Sequence, residues 1–129
     1  MDFNKMDHIT INVVDIDKTI WFYGELLGLK RLPDIELPEE ILHYFELPGS
    51  IKLELTEFKF KNNTLNCKSS DKGIFRHLAF SCIDVYSVEK ELTEAGYPFH
   101  VPVNFNSKLG FHGGLTKDPN GVELEFLQY

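Results

Sequence analysis

Cysteine is scarce in this chain, and basic residues are few and scattered. Two cysteines in 129 residues, Cys67 and Cys82, are too few for a disulfide framework and are not spaced as a CxxC pair. Lys and Arg total 13 against 20 Asp and Glu, a net charge of -7, with no basic cluster to grip a phosphate backbone. Nucleic acid is therefore not an expected partner. No run approaches the roughly 18 apolar residues that a membrane span needs. The start, Met1 to Asp7, lacks the apolar core and cleavage pattern of a signal peptide. No Gly-x-Ser-x-Gly nucleophile element occurs. These absences set the expectation of a soluble, cytoplasmic protein with no membrane partner. With 43% hydrophobic and 26% charged residues, the length suits one domain with a real core.

What the chain does have is alternation. His8 to Val13 puts His8, Thr10 and Asn12 on one strand face and Ile9, Ile11 and Val13 on the other. Asp15 or Asp17 caps a following helix with an inward stripe of Ile16, Ile20, Tyr23 and Leu27, and Gly28 ends it. Lys30 to Pro38 reads as a loop or irregular strand, His43 to Leu47 as a strand, and Pro48-Gly49-Ser50 as a turn. Ile51 to Thr56 is a strand carrying Lys52, Glu54 and Thr56 on one face, which Phe58 to Phe60 can extend. Polar residues from Asn62 to Lys72 read as a linker. Phe75 to Ser81 is a strand showing His77, Ala79 and Ser81. A helix from about Val85 to Ala95 turns Val85, Val88, Leu92 and Ala95 inward and stops at Gly96. Pro98 to Val103 is a short strand. Asn104 to Gly114 reads as a loop, with Gly110 to Gly114 mobile beside a cleft rather than a phosphate cradle. Asp118-Pro119-Asn120-Gly121 is strong turn chemistry, and the strand after it sets Val122, Leu124 and Phe126 against Glu123, Glu125 and Leu127.

The two halves repeat. A shift of 69 positions lands His8 on His77 and Asp15 on Asp84. Each half reads as strand, helix and about three strands, a βαβββ module. The expected fold is α+β: two such modules, about 5–61 and 74–129 with a linker over 62–73, forming a curved eight-stranded mixed sheet around a cleft. His8, Glu54, His77 and Glu125 all lie on strand faces turned from the apolar residues. A single such histidine reads as a surface residue and a single such glutamate as a solvated one. The same pair at the same place in both repeats points instead to a metal site. Two imidazoles and two carboxylates suit Zn, Ni, Co, Mn or Fe(II) and leave positions for a substrate with two neighbouring oxygens. His43, His100 and His112 lack a repeat partner and read as surface or loop residues. Cys67 falls in the linker, and Cys82 with the helix-facing set.

At these residues the chain resembles the vicinal oxygen chelate superfamily, which includes glyoxalase I, extradiol dioxygenases, and fosfomycin and bleomycin resistance proteins. The resemblance runs through Asp7-His8-Ile9, Asp15 to Tyr23 with Leu27-Gly28-Leu29, Arg76 to Phe80, and Asp118 to Glu125. The order His, Glu, His, Glu and the strand Leu53-Glu54-Leu55-Thr56 most resemble glyoxalase I (lactoylglutathione lyase). That resemblance implies a divalent metal, Ni or Co before Zn, Fe or Mn, bound by His8, Glu54, His77 and Glu125. It also implies that Glu125 or Glu54 is the base isomerising the hemithioacetal of a 2-oxoaldehyde such as methylglyoxal and a thiol, through an ene-diolate, to a 2-hydroxyacyl thioester.

The substrate positions depart from the glutathione enzymes. Asn12 stands where their arginine meets the thiol's carboxylate, and Phe58 where an asparagine is expected. Lys52 and Arg31 are the nearest cationic substitutes, so the expected substrate-binding set is Asn12, Lys52 and Arg31. The resemblance further implies a homodimer acting on a small-molecule thiol adduct. The alternatives are another metal enzyme of the superfamily, an Fe(II) ring-cleaving dioxygenase or a thiol transferase conferring resistance, and a metal-free small-molecule binding protein.

Overall fold

Residues 1, 4, 6–60 and 77–129 are described by the computed structural model. The expected linker over 62–73, Cys67 and the Phe75-Arg76 start of the strand that reaches Ser81 lie outside the described residues. The chain divides into two compact units, residues 1–66 and 67–129. Each is one βαβββ module carrying its own four-stranded sheet. The first holds β1 (His8–Asn12), α1 (Ile16–Ile20), β2 (Lys30–Glu36), β3 (Glu40–Leu47) and β4 (Ile51–Phe58), in sheet order β1-β4-β3-β2. The second holds β5 (Leu78–Ser81), α2 (Val85–Glu94), β6 (Val101–Asn106), β7 (Phe111–Lys117) and β8 (Glu123–Gln128), in order β5-β8-β7-β6. The β1–β4 and β5–β8 pairs are parallel and the others antiparallel, so both sheets are mixed. This is the expected α+β class, with the eight strands shared between two four-stranded sheets.

Both helices begin in the same way. Asp15 and Asp84 have extended backbones and accept the amides of Lys18 at 3.1 Å and Ser87 at 3.0 Å, filling donors that the first turn leaves open. Of the two expected caps for the first helix, Asp15 is the one used. The inward stripe differs from the expected Ile16, Ile20, Tyr23 and Leu27. After Ile20 the helix continues as a π-helical turn, Trp21–Leu26, in which the Leu27 amide bonds to the Phe22 carbonyl at 2.9 Å. The wider turn rotates less per residue, so the successive aromatics Phe22 and Tyr23 both point inward, with Thr19. Their rings meet edge to face at 5.1 Å. Gly28, at φ +68, then turns the chain into β2.

Of the loop or irregular strand expected from Lys30 the structure takes the second form, and two further stretches are more ordered than the sequence suggests. Lys30–Glu36 is a strand, irregular in that its register with β3 shifts between Leu32 and Ile35. The expected strand at His43 starts earlier, at Glu40. The expected loop over Asn104 to Gly114 is the end of β6, a turn and the start of β7, so Gly113 and Gly114 are strand residues. A Cβ on Gly114 would sit 2.8 Å from the Val101 carbonyl and from a Phe99 ring carbon. The glycine there permits a close strand approach rather than a flexible loop.

In the first unit the core is Ile11, Val13, Phe22, Tyr23, Phe45, Leu47, Leu53 and Leu55. In the second, Val85 and Leu92 of α2 are buried, as are Leu78, Leu124, Phe126 and Leu127 of the sheet. Phe80 stacks on Phe126 at 5.6 Å. Among the described residues no helix is long and apolar enough to cross a membrane.

Candidate functional site

In the first unit, β4 lies between β1 and β3, and register places Glu54 between two hydroxyl-bearing residues. Thr10 pairs with it from β1 and Tyr44 from β3. Thr10 Oγ1 donates to Glu54 Oε1 at 2.9 Å, and the Tyr44 hydroxyl donates to Oε2 at 2.5 Å. Burial first, then the hydrogen bond and charge of Glu54, pushes the Tyr44 phenol up to about 12, so it stays a donor at neutral pH. Both carboxylate oxygens are thereby oriented, each with a lone pair to spare.

His8 lies on the same face as Glu54, because its register partner Lys52 is two residues from Glu54 on β4. Its Nδ1 lies 2.9 Å from Asp7 Oδ2, and a carboxylate partner there calls for the tautomer with Nδ1–H as donor, which turns the Nε2 lone pair outward. The His8 hydrogen bond and then the nearby Lys52 ammonium hold the Asp7 carboxyl below its ordinary value. Lys52 Nζ lies 3.5 Å from Asp7 Oδ2 and 5.7 Å from the Tyr44 ring centroid. Asn12, exposed at the end of β1, shares this face through its pairing with Thr56.

Arg31 does not share it. It pairs with Phe45 and places its guanidinium 5.0 Å over that buried ring, on the face opposite Glu54. There it contacts Asp34 at 2.6 Å and His43 Nδ1 at 2.9 Å. His43, expected at the surface, is only 7% exposed and lies on β3. Its Nε2 is 2.9 Å from Glu57 and its Nδ1 3.0 Å from Asp34. Arg31 and His43 thus form a charged cluster under the helix-facing side of the sheet.

The second unit repeats the first in register. Ala79, two residues after His77, pairs with Glu125 as Thr10, two after His8, pairs with Glu54. His77 Nε2 is 3.1 Å from Glu125 Oε2, with both side chains mostly covered. The other ring nitrogen, Nδ1, is buried with no hydrogen-bond partner among the described residues. Leu115 of β7 is the other neighbour of Glu125, so no hydroxyl flanks it on either strand. Of the two remaining histidines, His100 is the exposed loop residue expected, whereas His112 lies in a strand. His100 pairs with Glu123 at 2.8 Å. His112 is part of β7 and meets the Tyr86 hydroxyl at 2.9 Å.

Each unit therefore presents one imidazole and one carboxylate on equivalent strands. The donors fit a divalent cation: Asp7 sets the His8 ring as an outer carboxylate sets a metal-binding histidine, and the buried His77 Nδ1 is a polar atom that its surroundings leave unsatisfied. Among the described residues no group of three or more His, Cys, Asp and Glu gathers into a metal site. A four-donor set would require the pair from each unit.

Two βαβββ modules with a histidine and a glutamate at equivalent places in each define a class of protein built on an internal repeat. The chain belongs to the glyoxalase/bleomycin resistance protein/dioxygenase superfamily, whose family model matches residues 5–126. It is 30% identical to a lactoylglutathione lyase of Arabidopsis thaliana over 98% of its own length, but spans only 45% of that relative. It is 26% identical to the lactoylglutathione lyase of Haemophilus influenzae, covering 94% of this chain and 90% of that one. Among solved structures, the trypanothione-dependent glyoxalase I of Leishmania major superposes with a TM-score of 0.74 at 27% identity, over 98% of this chain and 87% of that one.

Proposed function

We propose that the protein is a metal-dependent glyoxalase I-like lyase, converting the hemithioacetal of a 2-oxoaldehyde and a thiol into a 2-hydroxyacyl thioester. The observation that carries this reading is the register-equivalent placement of His8 and Glu54 in one unit and of His77 and Glu125 in the other, in a chain similar to lactoylglutathione lyases. These four residues would hold the metal, with nickel or cobalt the preferred ion. When bound, the metal supplies Lewis-acid polarisation of two neighbouring substrate oxygens. Glu125 removes the proton from the carbon bearing the hydroxyl and sulfur, and the same kind of carboxylate returns a proton to the adjacent former carbonyl carbon. The proton of the hydroxyl passes to the former carbonyl oxygen, so the C–H and O–H changes both balance in an isomerisation that uses no external oxidant or reductant. Glu125 suits the base role better than Glu54, because no strand hydroxyl pins it.

Lys52 and Asn12 lie on the Glu54 face and are the proposed substrate contacts, whereas Arg31 has its guanidinium on the opposite face. Without an arginine at position 12, a thiol other than glutathione is a natural cosubstrate; the Leishmania major relative is itself described as trypanothione-dependent. The active form is proposed to be a cytoplasmic homodimer.

The test is metal analysis of protein purified without chelator, followed by assay with methylglyoxal and several thiols after restoring Ni, Co, Zn or Fe(II). Metal-dependent thioester formation is expected, with kcat in Glu125→Gln lower by about 10²–10⁴-fold. Stoichiometric metal with no thioester from any thiol would reject the lyase reading. Dioxygenase or transferase chemistry, which needs only three ligands, would survive Glu54→Gln.

A further inference from the structure

The two units use one architecture, yet they treat their glutamates differently. Glu54 is flanked by Thr10 and Tyr44, and each hydroxyl donates to a different carboxylate oxygen, at 2.9 and 2.5 Å. Glu125, at the equivalent register, is flanked by Ala79 and Leu115. The fold thus tolerates apolar residues at both flanking positions, and the hydroxyls are not a requirement of the βαβββ sheet. Their common feature is the carboxylate they converge on.

We propose that Tyr44 and Thr10 are positioning residues that fix both oxygens of Glu54, making it the held carboxylate of the site. The proposal rests on the reading of Glu54 as a metal ligand. A free glutamate side chain samples several rotamers and must lose that freedom to bind a cation. Two hydroxyl bonds remove most of it in advance, and charge-assisted bonds of this kind are the stronger class. Partners of this type commonly change metal affinity by 10–100-fold when removed. Tyr44 is itself steadied, since Lys52 lies over its ring and reaches toward Asp7, which holds His8. One connected set of contacts therefore orients both proposed ligands of the first unit.

The experiment is nickel and cobalt titration of metal-free wild-type protein and of Thr10→Ala, Thr10→Ser, Tyr44→Phe and Glu54→Gln, using competition with a chromophoric chelator and the visible spectrum of the cobalt form. Thr10→Ala places on β1 the residue that the chain uses at the same register in β5. Thermal melts without metal show whether each variant folds. Thr10→Ala and Tyr44→Phe are expected to fold and to weaken affinity by about 10-fold each, with an altered cobalt spectrum, while Thr10→Ser stays near wild type. Unchanged or tighter binding in Thr10→Ala and Tyr44→Phe, with Glu54→Gln weakened, would overturn this proposal alone. Wild-type protein that takes up no metal would overturn it together with the lyase reading.

Discussion

Asp118 shows how one side chain can hold a functional strand in place. It is 4% exposed, and its Oδ1 accepts the amides of Asn120 and Val122, both at 2.8 Å, while Oδ2 accepts from the Asn120 side chain at 3.0 Å. Its own amide and carbonyl close the turn with Val122 and Gly121, and Gly121 takes the positive φ of +85. Two residues later β8 begins, and with it the placement of Glu125. Asp118→Ala leaves part-buried amides without an acceptor and should cost about 2 kcal/mol, read as a lower urea midpoint at unchanged slope. Cys82 gives a pH-dependent prediction at the same scale. Burial, and secondarily the Asp84 carboxylate, pushes its thiol above the ordinary value. The neutral form is thus favoured in the folded chain, a contribution present below the unfolded thiol value and lost as pH rises through the folded one. In a Cys67→Ser background, alkylation of Cys82 should lag behind the urea-unfolded chain at pH 8 to 9 and catch up only at higher pH; equal rates at pH 8 would refute the shift.

At the scale of elements, the strand pair β6–β7 is where packing overrides local signals. Gly114 faces Phe99, Val101 and Val103 so closely that Gly114→Ala should force a backbone shift and cost about 1–3 kcal/mol, measured by chemical denaturation. Gly110, with open space around it but a φ of +78, should lose only about 1–2 kcal/mol on the same change. The sequence could not reveal this, because glycine, asparagine and lysine read alike as loop when no partner strand is known. Period-two alternation, by contrast, placed His8, Thr10, Lys52 and Glu54 on the face where the structure has them, since a strand's two faces follow from its geometry. Register was hidden: that Thr10 and Tyr44 both abut Glu54 depends on strand pairing, and Tyr44 sits ten residues away in sequence. The face of Arg31 is hidden for a related reason, as it is set by pairing with Phe45 within a strand whose register shifts. The stripe of the first helix is not legible either, because the sequence carries no clear mark of a π turn, and one wider turn moves every later residue around the helix.

At the scale of the whole molecule, the internal repeat divides the proposed ligand set into two pairs, and the question is whose pairs combine. In a two-fold dimer, the His8–Glu54 pair of one copy can complete its set with the His77–Glu125 pair of the same chain or of the other. Two inactive variants separate these arrangements. His8→Ala disables only the first-unit pair, and His77→Ala only the second. If the pairs combine within one chain, every chain in a mixture carries a damaged set, and mixing restores nothing. If they combine between chains, a mixed dimer has one site with both lesions and one site with neither. Random pairing makes half the dimers mixed, so activity should return to about a quarter of wild type after co-refolding. The expected outcome is restoration, with size-exclusion chromatography and light scattering showing a dimer for each variant alone. A clean monomer that is active when wild type would reject the shared site, and an active dimer without restoration would place each ligand set within its own chain.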